Sequence, residues 1–324
     1  MSESVFEEEA ADAVVYALAP APEFAADGVC FAATATGLLR SADRGATWES
    51  AYAALNLPEA LPTPAVAVSP AFKRDQTVFA GVAGSVLRST DGGQTWQVAM
   101  LPAPPPTVST LCISPAYEED GILFAGSMQD GVFRSANRGS NWVAWNFGLI
   151  DLNVLCVALS PHFGVDETLF AGTETGLFRS TNGGRAWREV ALPEEAAPVL
   201  ALALSAHYEE DGIILAGTEE AGLWISGDRG KNWTPVAGLP AGAVNAVLLD
   251  PGYPEPPRLL ALMDSGLYLS EDNGGSWLEL PLEIAPDVAP ICVAAPEGLA
   301  PGALLLVGLS DGAVTTVNCR SCSE

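Results

Sequence analysis

Residues that could do chemistry are few and scattered in this sequence. The chain has 2 His in 324 residues, His162 and His207, and they occupy the same position of a repeated segment (SPHF and SAHY). A His-based metal site or a Ser-His-Asp triad therefore has little to draw on. Cys319 and Cys322 form an isolated C-x-x-C motif, which lacks the two further ligands of a structural zinc site. No catalytic residue, metal site or cofactor is predicted.

Carboxylates, in contrast, are abundant. The chain has 40 Asp and Glu against 14 Lys and Arg, for a net charge of −26. Pairs of acids roughly 5–9 Å apart, as glycoside hydrolysis requires, would arise by chance in such a chain and do not by themselves indicate that activity. The same charge repels phosphate backbones and anionic lipids, so neither nucleic acid nor a membrane surface is expected as a partner.

The remaining composition is that of a globular protein. Hydrophobic residues make up 49% and charged residues 17%, which is enough apolar material for a buried core. The apolar runs are far shorter than the roughly 20 residues that span a bilayer. The start, MSESVFEEEA, lacks the basic and apolar regions of a secretory signal, so a cytoplasmic location is expected; an exported chain whose signal had been removed would look the same. Four cysteines sit singly in apolar runs, as small hydrophobic residues in a reducing compartment do; they are Cys30, Cys112, Cys156 and Cys292.

One octet, beginning with Ser and ending with Trp, recurs six times at steps of 48, 46, 45, 46 and 44 residues. Its third residue is an acidic or amide side chain: Asp43, Asp91, Asn137, Asn182, Asp228 and Asp272. Its last residue is Trp48, Trp96, Trp142, Trp187, Trp233 and Trp277. An Asp or Asn at such a turn accepts backbone N–H bonds, the following Gly tolerates positive φ, and the Trp buries a large ring. The octet is therefore interpreted as structural.

Upstream of each octet lie further apolar runs separated by Gly, Pro and Asp. Each unit is interpreted as four short antiparallel strands, named a to d, with strand d beginning at the Trp. Four strands in about 45 residues are typical of a β-propeller blade. The sequence thus predicts an all-β, seven-bladed propeller in a single domain over residues 1–324. The predicted blades are residues 14–58, 64–102, 107–149, 153–193, 198–240, 244–282 and 289–318.

The seventh unit ends without an octet or a strand d. A surplus strand-like segment, residues 3–9, stands at the start of the chain. We expect this segment to supply the fourth strand of blade 7, because pairing the first strand with the last blade closes the ring and removes a sheet edge.

The octets and their period resemble those of the Asp-box (BNR-type) β-propellers over essentially the whole chain. The resemblance implies that the boxes lie on the outer edge of the ring, away from any active site. Sialidases of this kind use three arginines and a Tyr–Glu pair. Here Arg40, Arg88, Arg134 and Arg179 share one repeat position, which indicates scaffold, since an active site needs unlike groups that converge. Xyloglucanases of this kind place carboxylates between two propellers, and this chain holds one.

Single seven-bladed Asp-box propellers similar to this chain include the photosystem II assembly and stability factors, which hold a partner protein. The export signal and basic surface expected of such a factor are missing, so that partner is not carried over. The predicted function is a non-enzymatic protein-interaction scaffold. The alternative is a carbohydrate-binding or glycosidase-like propeller of sialidase or xyloglucanase type, and the oligomeric state is left open.

The predicted binding surface is the side of the ring that carries the b–c turns. Five consecutive blades, 3 to 7, place a carboxylate at nearly the same height in that turn: Asp130, Glu174, Glu220, Asp264 and Asp311. The apolar link containing Trp145 and Phe147 is expected to flank them. Such an acidic crescent would attract a protein partner with a basic segment. The simpler interpretation is that solvated acids keep the protein soluble.

Overall fold

Short apolar runs bounded by Gly, Pro and Asp become the strands of seven antiparallel sheets. The computed structural model describes residues 14–102 and 104–320. In that part of the chain six sheets have four strands and the last has three. Within each sheet the strands pair in chain order, a-b-c-d, and strand a of each blade contacts strand a of the next. The contact of the last blade with the first completes the circle, so the predicted seven-bladed propeller is confirmed.

The first four blades contain sixteen strands. Blade 1 has β1 (Val15–Pro20), β2 (Cys30–Thr34), β3 (Gly37–Ser41) and β4 (Glu49–Ser50). Blade 2 has β5 (Ala65–Val68), β6 (Val78–Val82), β7 (Ser85–Ser89) and β8 (Gln97–Met100). Blade 3 has β9 (Thr107–Ile113), β10 (Leu123–Met128), β11 (Gly131–Ser135) and β12 (Val143–Ala144). Blade 4 has β13 (Val154–Leu159), β14 (Leu169–Thr173), β15 (Leu177–Ser180) and β16 (Arg188–Glu189).

The remaining blades follow the same order. Blade 5 has β17 (Val199–Leu204), β18 (Ile214–Thr218), β19 (Leu223–Ser226) and β20 (Thr234–Pro235). Blade 6 has β21 (Val244–Leu249), β22 (Leu259–Met263), β23 (Gly266–Ser270) and β24 (Leu278–Leu280). Blade 7 has β25 (Pro290–Ala294), β26 (Leu304–Leu309) and β27 (Val314–Asn318). The strand predicted at residues 3–9 lies outside the described residues.

The a–b turns of blades 1 to 5 differ from the sequence expectation, because each forms one turn of α-helix and not an irregular turn. The helices are α1 (Phe24–Asp27), α2 (Phe72–Asp75), α3 (Tyr117–Asp120), α4 (Phe163–Asp166) and α5 (Tyr208–Asp211). Two 3₁₀ turns, Ala53–Leu55 and Glu194–Ala196, lie in the links between blades. The last Asp of α2 to α5 accepts a bond from a buried Ser at the end of strand a, as in Ser160 Oγ to Asp166 Oδ2 at 2.6 Å. This local bond holds the turn, so no amphipathic helical pattern is needed in the sequence.

The core lies between neighbouring blades. Each of the seven clusters of buried side chains in the described chain draws its members from two adjacent blades. In blades 2 to 5 the repeated aromatic residue of the a–b turn packs edge-on against a Phe in strand b of the preceding blade, as Tyr117 does on Phe79 with ring centroids 5.9 Å apart. Edge-to-face pairs of this kind stabilise beyond the area that they bury.

The recurrent Ala-Gly of strand b also serves blade packing. A Cβ on Gly172 would lie 2.8 Å from the side chain and the carbonyl oxygen of Val199, the first residue of strand a in the next blade. A Cβ on Gly308 of blade 7 would lie 2.6 Å from the side chain of Val15 in blade 1. Glycine therefore allows the blades to approach closely, and the same contact closes the ring between its last and first blades.

Candidate functional site

The antiparallel strand order divides the ring into two faces. The a–b and c–d turns emerge on one side, called here the box face because it carries the octets. The b–c turns and the d–a links between blades emerge on the other side, called here the acidic face. All five predicted crescent carboxylates lie between strands b and c of their blades. The fold therefore brings them to one face, as the turn positions require.

Charge is distributed very unequally between the two faces. The described carboxylates of the acidic face are Glu59, Asp130, Asp151, Glu174, Glu195, Glu219, Glu220, Asp264, Glu283, Asp287 and Asp311. None of the 14 Lys and Arg residues and neither His of the sequence lies in its b–c turns or d–a links as the structure describes them. The face is thus negative without internal counter-charge.

Several of these carboxylates are held by neighbouring polar groups. Asn153 Nδ2 donates to Glu174 Oε2 at 2.9 Å, and Asn245 Nδ2 donates to Asp264 Oδ1. Asp311 Oδ1 accepts the Ala313 N–H at 3.0 Å. These bonds fix the direction of the carboxylates while leaving Glu174, Asp264 and Asp311 exposed to solvent.

Asp151 is a member of this face that the sequence reasoning missed. It lies in the link before blade 4, and its Oδ2 accepts the N–H and the hydroxyl of Thr175, each at 2.8 Å. Burial opposes its ionisation, but the bonds from Asn153 and Thr175 outweigh burial and hold the pKa of Asp151 below its usual range. Its signal in the sequence is an acid in a d–a link, and the predicted crescent contains only acids of b–c turns.

The link that contains Trp145 and Phe147, predicted as an apolar flank of the crescent, lies beside the Asp130 turn. Asn146 binds the backbone of the Asp130 turn, accepting from Val132 N and donating to the Asp130 carbonyl, each at 2.8 Å. Phe147 is 80% exposed and Ile150 is 77% exposed, so this link offers apolar surface beside the turn.

The Trp145 ring does not share that exposure, because it lies between two arginines. The guanidinium of Arg134 is 4.3 Å from the ring centroid and that of Arg185 is 5.4 Å from it. The Trp145 carbonyl accepts the indole N–H of Trp187 at 2.8 Å. Trp145 therefore joins the outer edges of blades 3 and 4 and is only half-buried there, whereas Phe147 presents its ring to solvent.

On the box face, the Ser and the Asp or Asn of each box form hydrogen bonds within the box. In the box of blade 2 the Asp91 carboxylate accepts the Thr95 N–H at 2.9 Å and the Ser89 hydroxyl at 2.7 Å. In the Asn boxes, Asn137 and Asn182 accept the equivalent backbone bond, also at 2.9 Å. The ion pairs of the described residues all lie on this face or at the strand ends that border it: Arg44–Glu297, Arg74–Glu118, His162–Glu209, Arg185–Glu167 and Arg258–Glu271.

The residues that could have carried chemistry do not converge. Arg40, Arg88, Arg134 and Arg179 stand at the equivalent position of strand c in blades 1 to 4 and so are spread around the ring. The described residues contain no group of three or more His, Cys, Asp and Glu that could hold a metal ion. No helix of the described chain is long and apolar enough to cross a membrane.

The described cysteines are free thiols, of which Cys30 and Cys319 are fully buried residues and Cys112, Cys156 and Cys292 are partly buried ones. Burial raises the pKa of Cys112, Cys156 and Cys292 to about 12, which makes them poor nucleophiles. Cys319 of the C-x-x-C motif is 3% exposed, and its N–H donates to the Ala303 carbonyl at 2.9 Å. Cys322 lies outside the described residues.

A family model, the BNR/Asp-box repeat, matches residues 87–98, which contain the box of blade 2. The chain is a seven-bladed β-propeller that contains a BNR/Asp-box repeat. No curated protein matches this propeller at the sequence level. Its likeness to solved structures is one of fold, at sequence identities below 20%.

Three such structures illustrate the range. The extracellular domain of a one-component system from B. thetaiotaomicron matches with 14% identity and a TM-score of 0.72, covering 97% of the propeller and 39% of that chain. An ancestral GH74 enzyme matches with 18% identity and a TM-score of 0.74, covering 97% and 46%. YCF48 bound to a D1 peptide matches with 14% identity and a TM-score of 0.68, covering 95% and 93%. The propeller thus spans less than half of the first two chains and nearly all of the third.

Proposed function

We propose that this propeller is a non-enzymatic interaction module whose acidic face binds a basic segment of a partner protein. The observation that carries the proposal is the segregation of charge: the acidic face holds carboxylates from the b–c turns of blades 3 to 7 and from four of the links between blades, and no basic side chain in its described turns and links. Clustered like charges raise the local potential, speed the encounter with an oppositely charged partner and exclude anionic ones.

A cavity of about 280 Å³ on this face is suited to a basic side chain. Asp264 and Glu279 contribute carboxylates to it, and the apolar side chains of Leu282, Ile284 and Val288 line its wall. Lys and Arg bury an aliphatic stem against apolar surface while the charged head meets carboxylates. One such side chain would anchor a peptide here.

The exposed Phe147 and Ile150 add a second, apolar contact on the same face. Interfaces combine an apolar centre with charged surroundings that set orientation. The solved complex of YCF48 with a D1 peptide has the same fold over nearly its whole length, which is an analogy of fold and supports peptide binding without identifying the peptide.

The test is binding of a labelled Lys- and Arg-rich peptide, followed by fluorescence anisotropy at increasing salt. The double variant Glu220→Gln/Asp264→Asn should bind several-fold more weakly, and the remaining affinity should depend less on salt, since exposed charges are screened beyond about 8 Å at physiological ionic strength. The charge-matched control is Glu119→Gln/Glu210→Gln, which removes two exposed acids from the box face and should bind as the parent does.

Equal weakening in both double variants would show that only net charge acts and would overturn the proposal. The alternative function, carbohydrate binding or glycoside hydrolysis, predicts something different: turnover or retention of a panel of sialosides and β-glucans. Such turnover, abolished by carboxylate changes that leave peptide binding unaffected, would replace the proposed function.

A further inference from the structure

The outer edge between blades 4 and 5 forms a groove of about 520 Å³ that is lined by four basic side chains. They are Arg179, Arg188, Arg229 and Lys231, and Glu189 is the one carboxylate in the lining as described. This concentration of positive charge stands out in a chain of net charge −26 with only 14 Lys and Arg.

Two of these cations face each other across the sheet. Arg179 in β15 is the direct antiparallel partner of Arg188 in β16. Like charges directly opposite on adjacent strands destabilise a sheet. At the same position of blade 1 the partner of Arg40 is Glu49, and in the other four-stranded blades the opposing pair is Arg88 and Gln97, Arg134 and Val143, Ile225 and Thr234, or Leu269 and Leu278. Among these six blades, two basic residues oppose each other at this position in blade 4 alone.

Two arginine side chains of the groove are fixed by hydrogen bonds to backbone carbonyls. Arg179 Nη1 donates to the Arg229 carbonyl at 3.0 Å, which ties strand c of blade 4 to the box of blade 5. Arg229 stands in that box with φ of 64°, and its guanidinium binds the Glu209 carbonyl. The exposed Arg188 and Lys231 complete the rim. Two cations are therefore anchored and two are free to close on a ligand.

The box of blade 4 also carries less negative charge than a box with Asp. Asn182, which lines the groove, stands where the boxes of blades 1, 2, 5 and 6 have Asp and so removes one negative charge. Ala186 stands where Thr95 donates its hydroxyl to the Asp91 carboxylate in blade 2. The change of the acid to an amide is thus matched by loss of the hydroxyl that would bind the second oxygen, and the amide carries an N–H donor in place of that oxygen.

We propose that this groove is a binding site for a tetrahedral oxyanion of the phosphate or sulfate class. An anion between Arg179 and Arg188 offsets their mutual repulsion, and planar guanidinium groups bind such oxyanions with paired, charge-assisted hydrogen bonds. The site is separate from the acidic face and does not depend on the function proposed for it. The anion is carried either by a modified side chain of a partner or by a free ester.

The test is calorimetric titration with pyrophosphate at low salt, with acetate as the comparison anion. Saturable pyrophosphate binding that exceeds acetate binding is expected. It should weaken roughly tenfold in Arg188→Gln/Lys231→Gln, since charge-assisted bonds are lost from two exposed residues. The matched control is Arg40→Gln, which changes the equivalent arginine in the groove of about 310 Å³ between blades 1 and 2 and should leave binding intact.

A second variant tests the site without removing a cation. Asn182→Asp introduces the residue found in the boxes of blades 1, 2, 5 and 6, so the fold should be retained, and the added charge should weaken pyrophosphate binding. Asn137→Asp makes the same change in the box of blade 3 and should have no effect. A phosphoserine peptide titrated alongside shows, by its affinity relative to pyrophosphate, which source the groove prefers. Absence of saturable binding, or equal losses in the control variants, would overturn the proposal.

Discussion

The two faces of the ring are built from the same repeats and differ in how their polar groups are satisfied. On the box face, Ser, Asp or Asn and the backbone bind one another in six blades, and ion pairs join neighbouring turns. On the acidic face, charges stand without counter-charges, and the carboxylates of Asp130 and Glu220 make no hydrogen bond within the described chain. The hydrogen bonds of the repeats thus hold the fold together at the box face, whereas the charges of the acidic face are not neutralised by the fold.

The largest effect is expected from the box tryptophans. Trp187 is 3% exposed, and its indole binds the preceding blade through the Trp145 carbonyl at 2.8 Å. Trp187→Ala should lower the free energy of unfolding by about 3–5 kcal/mol, as large-to-small core changes do. Trp96 is only partly buried, so Trp96→Ala should cost less. Urea unfolding measures both. Equal losses would mean that burial of the ring does not set the contribution of the box.

A smaller loss should follow from filling the contact between blades. Gly172→Ala places a Cβ 2.6 Å from Cys156 Sγ and 2.8 Å from the Val199 carbonyl oxygen, and overpacking of this kind costs roughly 1–3 kcal/mol. Gly227→Ala, in the box of blade 5, meets nothing within 4 Å and serves as the control. Thermal unfolding should separate the two variants. If Gly172→Ala is as stable as Gly227→Ala, blade spacing does not depend on the Ala-Gly of strand b.

The contrast between faces also shows what could be inferred before the structure. The Ser-x-Asp-x-Gly period predicted the blades because each residue of the box acts locally, through bonds such as Ser89 to Asp91. The b–c position of Asp264 followed from strand order alone. The basic groove could not be predicted in this way, because Arg188 and Lys231 belong to consecutive repeats and come together only when the two blades pack. Asp151 was missed because its bond partner, Thr175, lies in the b–c turn of blade 4, 24 residues away along the chain.

The box carboxylates should give stability a pH dependence that the amide boxes lack. The Asn232 side chain and backbone hydrogen bonds lower the pKa of Asp228 to about 2, and those of Thr47 lower the pKa of Asp43 to about 2. Because the folded pKa values lie below the unfolded value near 4, this stabilisation is present above about pH 4 and is lost as the pH falls towards about 2. Asp228→Asn should unfold with a shallower dependence on pH over that window. An unchanged slope, measured by urea unfolding at each pH, would show that the box carboxylate contributes no such linkage.

The smallest effect, and the one that separates the faces by its sign, comes from neutralising a single exposed acid. Asp311→Asn keeps an oxygen for the Ala313 N–H and removes a charge from a face without basic partners, so low-salt stability should rise by no more than about 0.5 kcal/mol. Glu118→Gln instead breaks the ion pair with Arg74 on the box face, so stability should fall by about 0–1 kcal/mol. Both changes should fade as salt is added, because screening removes repulsion and attraction alike. Thermal unfolding of the two variants across a salt series checks the signs. If Asp311→Asn were destabilising at low salt, the acidic face would hold a counter-charge after all, and its availability to a basic partner would have to be given up.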